Sequence, residues 1–190
     1  MAKSSGISVV MSLHEIDLAQ RISDKIVCVK GDKIAAYGTP EEIFTDDTIK
    51  KLYDIGNGSF NARLGNIELA SPCGKIRCFV VGGGGCGIPY YRALQKRGIP
   101  FAAGILLGND IDLAVAEPLA KYVVKTPPFV PASRGDIAEA RKLIDSVGVV
   151  IDCGCPAGEL NRFNSELLNY ASEKGKTIIR SLAALAETEL

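Results

Sequence analysis

A run of glycines in the second half of the chain has the composition of an anion-binding loop. Residues 82–87 read Gly-Gly-Gly-Gly-Cys-Gly and directly follow a mostly apolar stretch, residues 76–81. They satisfy the spacing G-x-G-x-x-G, in which a tight turn brings backbone N–H groups and a helix N-terminus close to a phosphate. The candidate ligand-binding residues of this loop are Gly82, Gly83, Gly84, Gly85 and Gly87. Because four consecutive glycines satisfy such a spacing easily, three interpretations stay open: a site for an anionic ligand, a dinucleotide site, or a purely structural turn.

Polar residues at the ends of other predicted elements extend this candidate site. They are Asn109, Asp110, Asp152 and Asn161. The carboxyl ends of parallel strands form the edge of a sheet where ligands bind, so we expect these residues to converge on the glycine loop. Structural alternatives exist, since asparagine is a common helix N-cap and an aspartate at a strand end often bonds to the next loop. No acidic residue directly follows the second predicted strand, where it would hold a ribose, which argues against a dinucleotide.

The only histidine, His14, lies far along the chain from these residues. The second half therefore has no Ser-His-Asp, Cys-His or paired-carboxylate arrangement, and catalysis is not indicated there. The six cysteines are at positions 28, 73, 78, 86, 153 and 155. Their spacing differs from that of zinc ligands, so we expect reduced thiols and no metal site.

The composition is that of an ordinary soluble globular protein. Of 190 residues, 47% are apolar and 23% charged, which suffices for one sizeable core or two small ones. The 22 basic and 22 acidic residues cancel, without the basic excess of a nucleic-acid binder. The sequence lacks both a stretch of 18 apolar residues and the pattern of a secretion signal. We therefore expect a cytoplasmic protein.

Proline and glycine near residues 70–75 separate two segments, 1–70 and 75–190. The predicted elements of the first are strands at 7–13, 25–29 and 33–37, helices at 15–22, from Pro40 onward and at 46–52, and short strands near 59–61 and 66–69. In the second, predicted strands at 76–81, 99–107, 122–125, 147–152 and 177–180 alternate with helices at 89–96, 113–121, 136–146 and 161–174. Such alternation requires a parallel sheet covered on both faces. We expect a small, doubly wound α/β domain of Rossmann-like type.

The first segment resembles the C-terminal part of an ABC-transporter ATPase. Residues 9–19 read VVMSLHEIDLA, and residues 30–43 read KGDKIAAYGTPEEI, close to the family's usual Gly-Thr-Pro-Glu-Glu ending. The resemblance implies that His14 is the switch histidine, which contacts the γ-phosphate and helps to orient the attacking water. It also implies ATP and Mg²⁺ as cofactors of the intact parent. Only eight residues precede Val9, so we expect no phosphate loop and no ATP site in this chain alone.

The second segment is similar to a C-terminal extension on some ATPases of iron-siderophore and cobalamin importers. The similarity covers residues 81–104 and the following Asn109-Asp110-Ile111-Asp112. The extension pattern has His-Glu just before Asn-Asp, where this chain has Leu107-Gly108. The role of the extension does not follow from the resemblance.

These patterns predict the C-terminal portion of an ABC importer ATPase, peripheral to the inner face of the membrane and partnered by the membrane subunits. The second segment would be a regulatory domain that senses a small anionic ligand. An unpaired strand at 7–13 would favour a homodimer. The alternative is a stand-alone Rossmann-type nucleotide-binding metabolic enzyme, so enzymatic activity of this chain is left open.

Overall fold

A computed structural model describes residues 5–56, 58–61 and 66–190. The chain divides into two compact units, Met1–Ile67 and Glu68–Leu190. This division lies just before the proline and glycine at residues 72–74 that separate the two predicted segments.

The first unit is built from short elements. They are α1 (Ile16–Ile22), β1 (Ile26–Lys30), β2 (Lys33–Gly38), α2 (Pro40–Ile43), α3 (Asp46–Tyr53), β3 (Gly58–Asn61) and β4 (Asn66–Leu69), the last of which runs past the division. β1 and β2 form the predicted antiparallel hairpin. Its turn uses Gly31 with a φ of 62°, a backbone conformation that glycine adopts without strain.

Thr39 followed three residues later by Glu42 is a sequence pattern that predicts a capping box, and Thr39 begins α2 with one. Its side chain accepts a hydrogen bond from the N–H of Glu42, whose carboxylate accepts one from the N–H of Thr39 at 2.8 Å. Two N–H groups that the helix itself leaves unpaired are thereby satisfied. Pro40, at the first helical position, has no N–H to satisfy.

A small apolar core holds this unit together. Its buried members are Cys28, Ile43, Phe44, Ile49 and Phe60. Ile16 and Ala19 of α1 pack against it. The helical spacing of Ile16, Leu18, Ala19 and Ile22 predicts that all four face inward, but Leu18 and Ile22 are exposed. The position of Cys28 in an apolar predicted strand indicates a small core residue, and the structure confirms this.

The predicted strand at residues 7–13 is wrong. This segment forms no strand, and most of its apolar side chains are exposed, with Val10 98% and Val9 58% accessible to solvent. A strand exists only when its backbone groups pair with a neighbour. In the described part of the chain no strand pairs with this segment.

The second unit alternates strands and helices as predicted. Its elements are β5 (Cys78–Val81), α4 (Ile88–Lys96), β6 (Phe101–Leu107), α5 (Ile111–Leu119), β7 (Tyr122–Thr126), α6 (Arg134–Asp145), β8 (Val149–Asp152), α7 (Phe163–Glu173), β9 (Thr177–Ile179) and α8 (Leu182–Glu187). A 3-10 turn, Glu159–Asn161, precedes α7. The sequence patterns did not predict α8.

Helices cover both faces of a five-stranded parallel sheet with the order β7-β6-β5-β8-β9. Phe79 and Val81 of β5 pack into a core that includes residues of α6 and α7. On the other face, Tyr91 of α4 stacks on Phe101 of β6, with ring centroids 5.6 Å apart. The predicted doubly wound, Rossmann-like α/β fold is confirmed.

The strand order places the change in winding direction between β5 and β8. The chain adds β6 and β7 on one side of β5 and then returns to add β8 and β9 on the other. Val81 at the end of β5 is in register with Asp152 at the end of β8. Loops that leave such a point diverge and open a crevice for ligands.

None of the helices in the described ranges could span a bilayer. The longest of them, α6, has 12 residues.

Candidate functional site

Three N–H groups of the glycine loop are bonded to two carboxylates at the start of α5. Asp112 Oδ2 accepts hydrogen bonds from the N–H of Gly83 at 2.6 Å and of Gly87 at 2.9 Å. Asp110 caps α5 and accepts from the N–H of Gly84, at 3.0 Å to Oδ1 and 2.9 Å to Oδ2. The donors that the sequence assigned to an anionic ligand are thus bonded to the chain's own side chains.

The Asp112 carboxyl is fully buried beneath this loop. Burial raises its pKa above the ordinary value, because the ionised form loses its hydration. Hydrogen bonds from the N–H groups of Gly87, Gly83 and Ile88 oppose this shift, and the nearby charge of Asp110 adds to it. The loop therefore packs on a carboxyl group whose ionisation is disfavoured.

Close packing explains why two of the loop positions are glycine. A Cβ atom at Gly82 would lie 2.2 Å from the hydroxyl oxygen of Tyr91, and one at Gly87 would lie 2.3 Å from it. Residues 83–85 have φ angles of 140°, 63° and 90°, which glycine adopts at least cost. Each candidate glycine thus has a structural reason that is independent of any ligand.

Three buried polar atoms beneath the loop lack hydrogen-bond partners among the described residues. They are the Tyr91 hydroxyl, Asp112 Oδ1 and Asn164 Oδ1. Burial raises the pKa of Tyr91 well above its ordinary value, so the hydroxyl stays protonated. Sequence reasoning missed Tyr91 and Asn164. Asn164 follows Asn161 by three residues, a helical spacing that would have placed both on one face.

A backbone hydrogen bond holds the end of β8 beside the end of β5. The N–H of Cys153 donates to the carbonyl of Val81 at 3.1 Å. Asp152 Oδ1 accepts from the N–H of Gly154 at 3.0 Å, and Asp152 Oδ2 lies 3.4 Å from Nε of Arg180, which follows β9. Arg180 was not among the predicted residues. Its position next to Asp152 follows only from the pairing of β8 with β9.

The two candidate asparagines hold loops in place. Asn109 Oδ1 accepts from the N–H of Phe129 at 2.9 Å. Asn161 Oδ1 accepts from the N–H of Gly158 at 2.7 Å, and its amide donates to the carbonyl of Pro156 at 2.8 Å. Asn161 does not cap α7, whose N-terminus follows Arg162 without a capping side chain.

A small pocket opens between the ends of β5 and β8 and the start of α7. Its lining consists of Val81, Asp152, Cys155, Ala157, Asn161, Asn164, Ser165 and Leu168, and we call it the α7 pocket. Burial raises the pKa of the Cys155 thiol to about 12, so it lines the pocket as a neutral group at physiological pH. Of the predicted site residues, Asp152 and Asn161 meet here. Asp110 meets the glycine loop instead.

Among the residues that the structure describes, no group of three or more His, Cys, Asp or Glu side chains is arranged to hold a metal ion.

His14 lies in the other unit, exposed on the irregular segment before α1. It lines a mostly apolar groove formed by residues 10–16 with side chains of β1 and α3. Within the described part of the chain, its lining contains no lysine or arginine, the side chains that usually bind phosphates.

The chain is similar to one protein family and to several curated ATP-binding proteins. The MJ0874 family matches residues 101–188. The "Uncharacterized ABC transporter ATP-binding protein MJ0873" of Methanocaldococcus jannaschii is 35% identical over 107 residues, 56% of this chain and 37% of that protein. The "Cobalamin import ATP-binding protein BtuD" of Halobacterium salinarum is 28% identical over 155 residues, 74% of this chain and 39% of that protein.

A third relative is the "Probable siderophore transport system ATP-binding protein YusV" of Bacillus subtilis, 33% identical over 73 residues. These residues are 38% of this chain and 26% of that protein. The chain therefore spans at most about two fifths of the length of the relatives that it matches.

Replacing Asp112 with asparagine is expected to change how stability depends on pH. Because the pKa of Asp112 is raised in the folded state, that state binds a proton more tightly than the unfolded chain. The wild-type free energy of unfolding should therefore fall as pH rises through the raised pKa. The amide of the Asp112→Asn variant would keep an oxygen acceptor for Gly83 and Gly87 but could not ionise. Urea unfolding from about pH 4 to about pH 7 should show wild type losing stability relative to the variant.

The matched control is Glu139→Gln, a change of the same kind at an exposed position of α6. It should leave the slope of stability against pH close to that of wild type. Parallel curves for wild type and Asp112→Asn would contradict the assignment of a buried, hard-to-ionise carboxyl at this position.

Proposed function

Since the chain is homologous to ABC transporter ATP-binding proteins, as its sequence predicted, we propose that it is the C-terminal portion of such an ATPase subunit. Met1–Ile67 would be the end of the nucleotide-binding domain. Glu68–Leu190, which contains the MJ0874 family match, would be an accessory domain that binds a small anionic ligand and adjusts transport.

One observation carries the ligand-binding part of this proposal. The α7 pocket lies where the winding of the sheet changes direction, between the ends of β5 and β8. Parallel α/β sheets bind ligands at this position for a geometric reason, since the loops there diverge. The ligand-binding role of the residues named from the sequence stays a prediction. Of these residues, Asp152 and Asn161 line the α7 pocket.

In the parent ATPase, we assign His14 to the γ-phosphate of ATP. ATP bound with Mg²⁺ would supply the energy of transport through hydrolysis. This chain would contribute the imidazole, while the phosphate-binding loop and metal ligands would come from other parts of the subunit. Membrane subunits would be its partners at the inner face of the membrane. The relatives named for cobalamin and siderophore import suggest an iron-siderophore or a corrinoid as cargo.

The alternative of a stand-alone Rossmann-type enzyme has weaker support. A dinucleotide would need the N–H groups of the glycine loop for its pyrophosphate. Those of Gly83, Gly84 and Gly87 are bonded to Asp110 and Asp112 instead.

A ligand screen tests the sensing role. We expect at least one compound in a panel of inorganic oxyanions, phosphorylated metabolites, nucleotides and small carboxylates to raise the melting temperature of the purified chain. A ligand at 100 times its Kd stabilises the folded state by about 2.7 kcal/mol, which such a scan detects easily. If no compound of the panel raises the melting temperature, the glycine loop and the α7 pocket would be structural features only.

We predict that the isolated chain neither binds ATP tightly nor hydrolyses it. The described residues that line the groove around His14 include no cationic side chain for the phosphates. Phosphate release measured with ATP and Mg²⁺ should equal that of the His14→Ala variant and of a buffer blank. Steady release that His14→Ala abolishes would overturn the assignment of the first unit to an incomplete ATP site.

We also predict a homodimer formed through residues 7–13. Val9 and Val10 expose apolar surface that a second copy would bury. Val10→Asp should shift the chain toward the monomer in light scattering at high micromolar concentration. Ile34→Asp is the matched control, since Ile34 is 70% exposed but lies outside the segment, on β2. A wild-type monomer at that concentration would refute the prediction.

A further inference from the structure

The glycine loop is poorly suited to be the anion site of the second unit. The N–H groups of Gly83, Gly84 and Gly87 already donate to carboxylates at 2.6 to 3.0 Å. An incoming anion would have to displace Asp110 or Asp112 from these donors. Another element at the same edge is therefore the better source of donors for an anion.

The start of α7 provides such donors. This helix has 11 residues and begins after Arg162 without a capping side chain. The N–H groups of its first turn have no partner within the helix and carry its positive dipole end. Asn164 and Ser165, in that first turn, line the α7 pocket. An oxyanion in this pocket would receive hydrogen bonds from the helix backbone.

A second, independent observation also indicates a ligand here. Asn164 is only 8% exposed, and its Oδ1 atom has no hydrogen-bond partner in the described part of the chain. Its amide nitrogen donates to the carbonyl of Gly82 at 3.2 Å, which fixes the orientation of the side chain. The remaining oxygen accepts hydrogen bonds but cannot donate them. A ligand that satisfies it must offer an O–H or N–H group.

Asp152, which also lines the pocket, imposes the same requirement. Its carboxylate is partly neutralised by Arg180, whose Nε lies 3.4 Å from Oδ2. A fully deprotonated anion would be repelled by the remaining charge. An oxyanion that still carries a proton could donate to Asp152 or Asn164 while its other oxygens accept from α7.

We infer that the α7 pocket binds a phosphate group that retains a proton. This inference rests on the proposed sensing role and specifies where the anion binds and what its chemistry is. Near neutral pH, phosphate has both O–H donors and anionic oxygens, whereas sulfate has only acceptors. The group could belong to free phosphate or to a phosphate ester, and the shared chemistry is the protonated oxyanion.

The test compares inorganic phosphate, glycerol 3-phosphate and sulfate on the full chain at constant ionic strength near pH 6.5. Isothermal titration should give a Kd for phosphate or for the ester at least tenfold lower than the Kd for sulfate. Tighter binding of inorganic phosphate would indicate the free anion, and tighter binding of glycerol 3-phosphate would indicate an ester. Either result supports the inference.

Ser165→Asp tests the location. Ser165 is exposed in the first turn of α7, where an acidic residue favours the helix dipole and should preserve or raise the melting temperature. The same carboxylate would repel the anion, so the affinity for phosphate should fall at least tenfold. The matched control is Ser172→Asp, an exposed position in the last turn of α7, which should leave the affinity unchanged.

The outcomes separate this inference from the proposed function. If phosphate and its ester fail to bind while another anion of the panel does, the inference is overturned and the sensing role stands. If no anion binds, both are overturned. Equal affinity for sulfate would refute the need for a proton, and phosphate affinity that survives Ser165→Asp would refute the location.

Discussion

The hydrogen bonds that the Asp112 carboxyl group accepts are the interaction on which the glycine-loop edge of the sheet in the second unit depends. It is buried under the glycine loop and accepts hydrogen bonds from the N–H groups of Gly83 and Gly87. An acceptor inside the turn lets the loop close tightly over Tyr91, and this closeness excludes a Cβ at Gly82 and Gly87. Removing a buried acceptor would leave these donors unpaired, at a cost of about 1–3 kcal/mol each. The loop has the composition of a phosphate-binding turn, and the N–H groups of Gly83, Gly84 and Gly87 donate to the chain's own carboxylates.

The two sides of this edge differ in how far their hydrogen-bonding groups are satisfied. On the side of β5 and α5, the polar groups of the glycine loop are largely satisfied by the chain itself. On the side of β8 and α7, a helix begins without a capping side chain, and Asn164 Oδ1 has no partner among the described residues. Arg180 adds a cation beside Asp152. Of the three buried polar atoms at this edge that lack a partner among the described residues, the Tyr91 hydroxyl and Asp112 Oδ1 lie beneath the glycine loop, and Asn164 Oδ1 belongs to a residue that lines the α7 pocket.

Local patterns predicted much of this architecture. The alternation of predicted strands and helices, with glycines between them, predicted the parallel sheet. The pair Thr39 and Glu42 predicted the start of α2. The role of Asp112 could not be predicted, since its partners Gly83 and Gly87 are 29 and 25 residues away in the sequence. The apolar run at residues 7–13 predicted a strand. A strand also needs a neighbouring strand to pair with, and an apolar run does not show whether one is present. Asn164 was missed because its burial depends on how α7 packs beside Gly82.

The most direct test of this account is an amide NMR titration of the chain with inorganic phosphate. Backbone N–H signals report which donors an anion approaches. The account predicts shifts in the signals of Phe163, Asn164 and Ser165, with those of Gly83, Gly84 and Gly87 unchanged. Shifts confined to the three glycines, with the first turn of α7 unaffected, would contradict it, since they would mean that the anion displaces Asp110 or Asp112 from the loop.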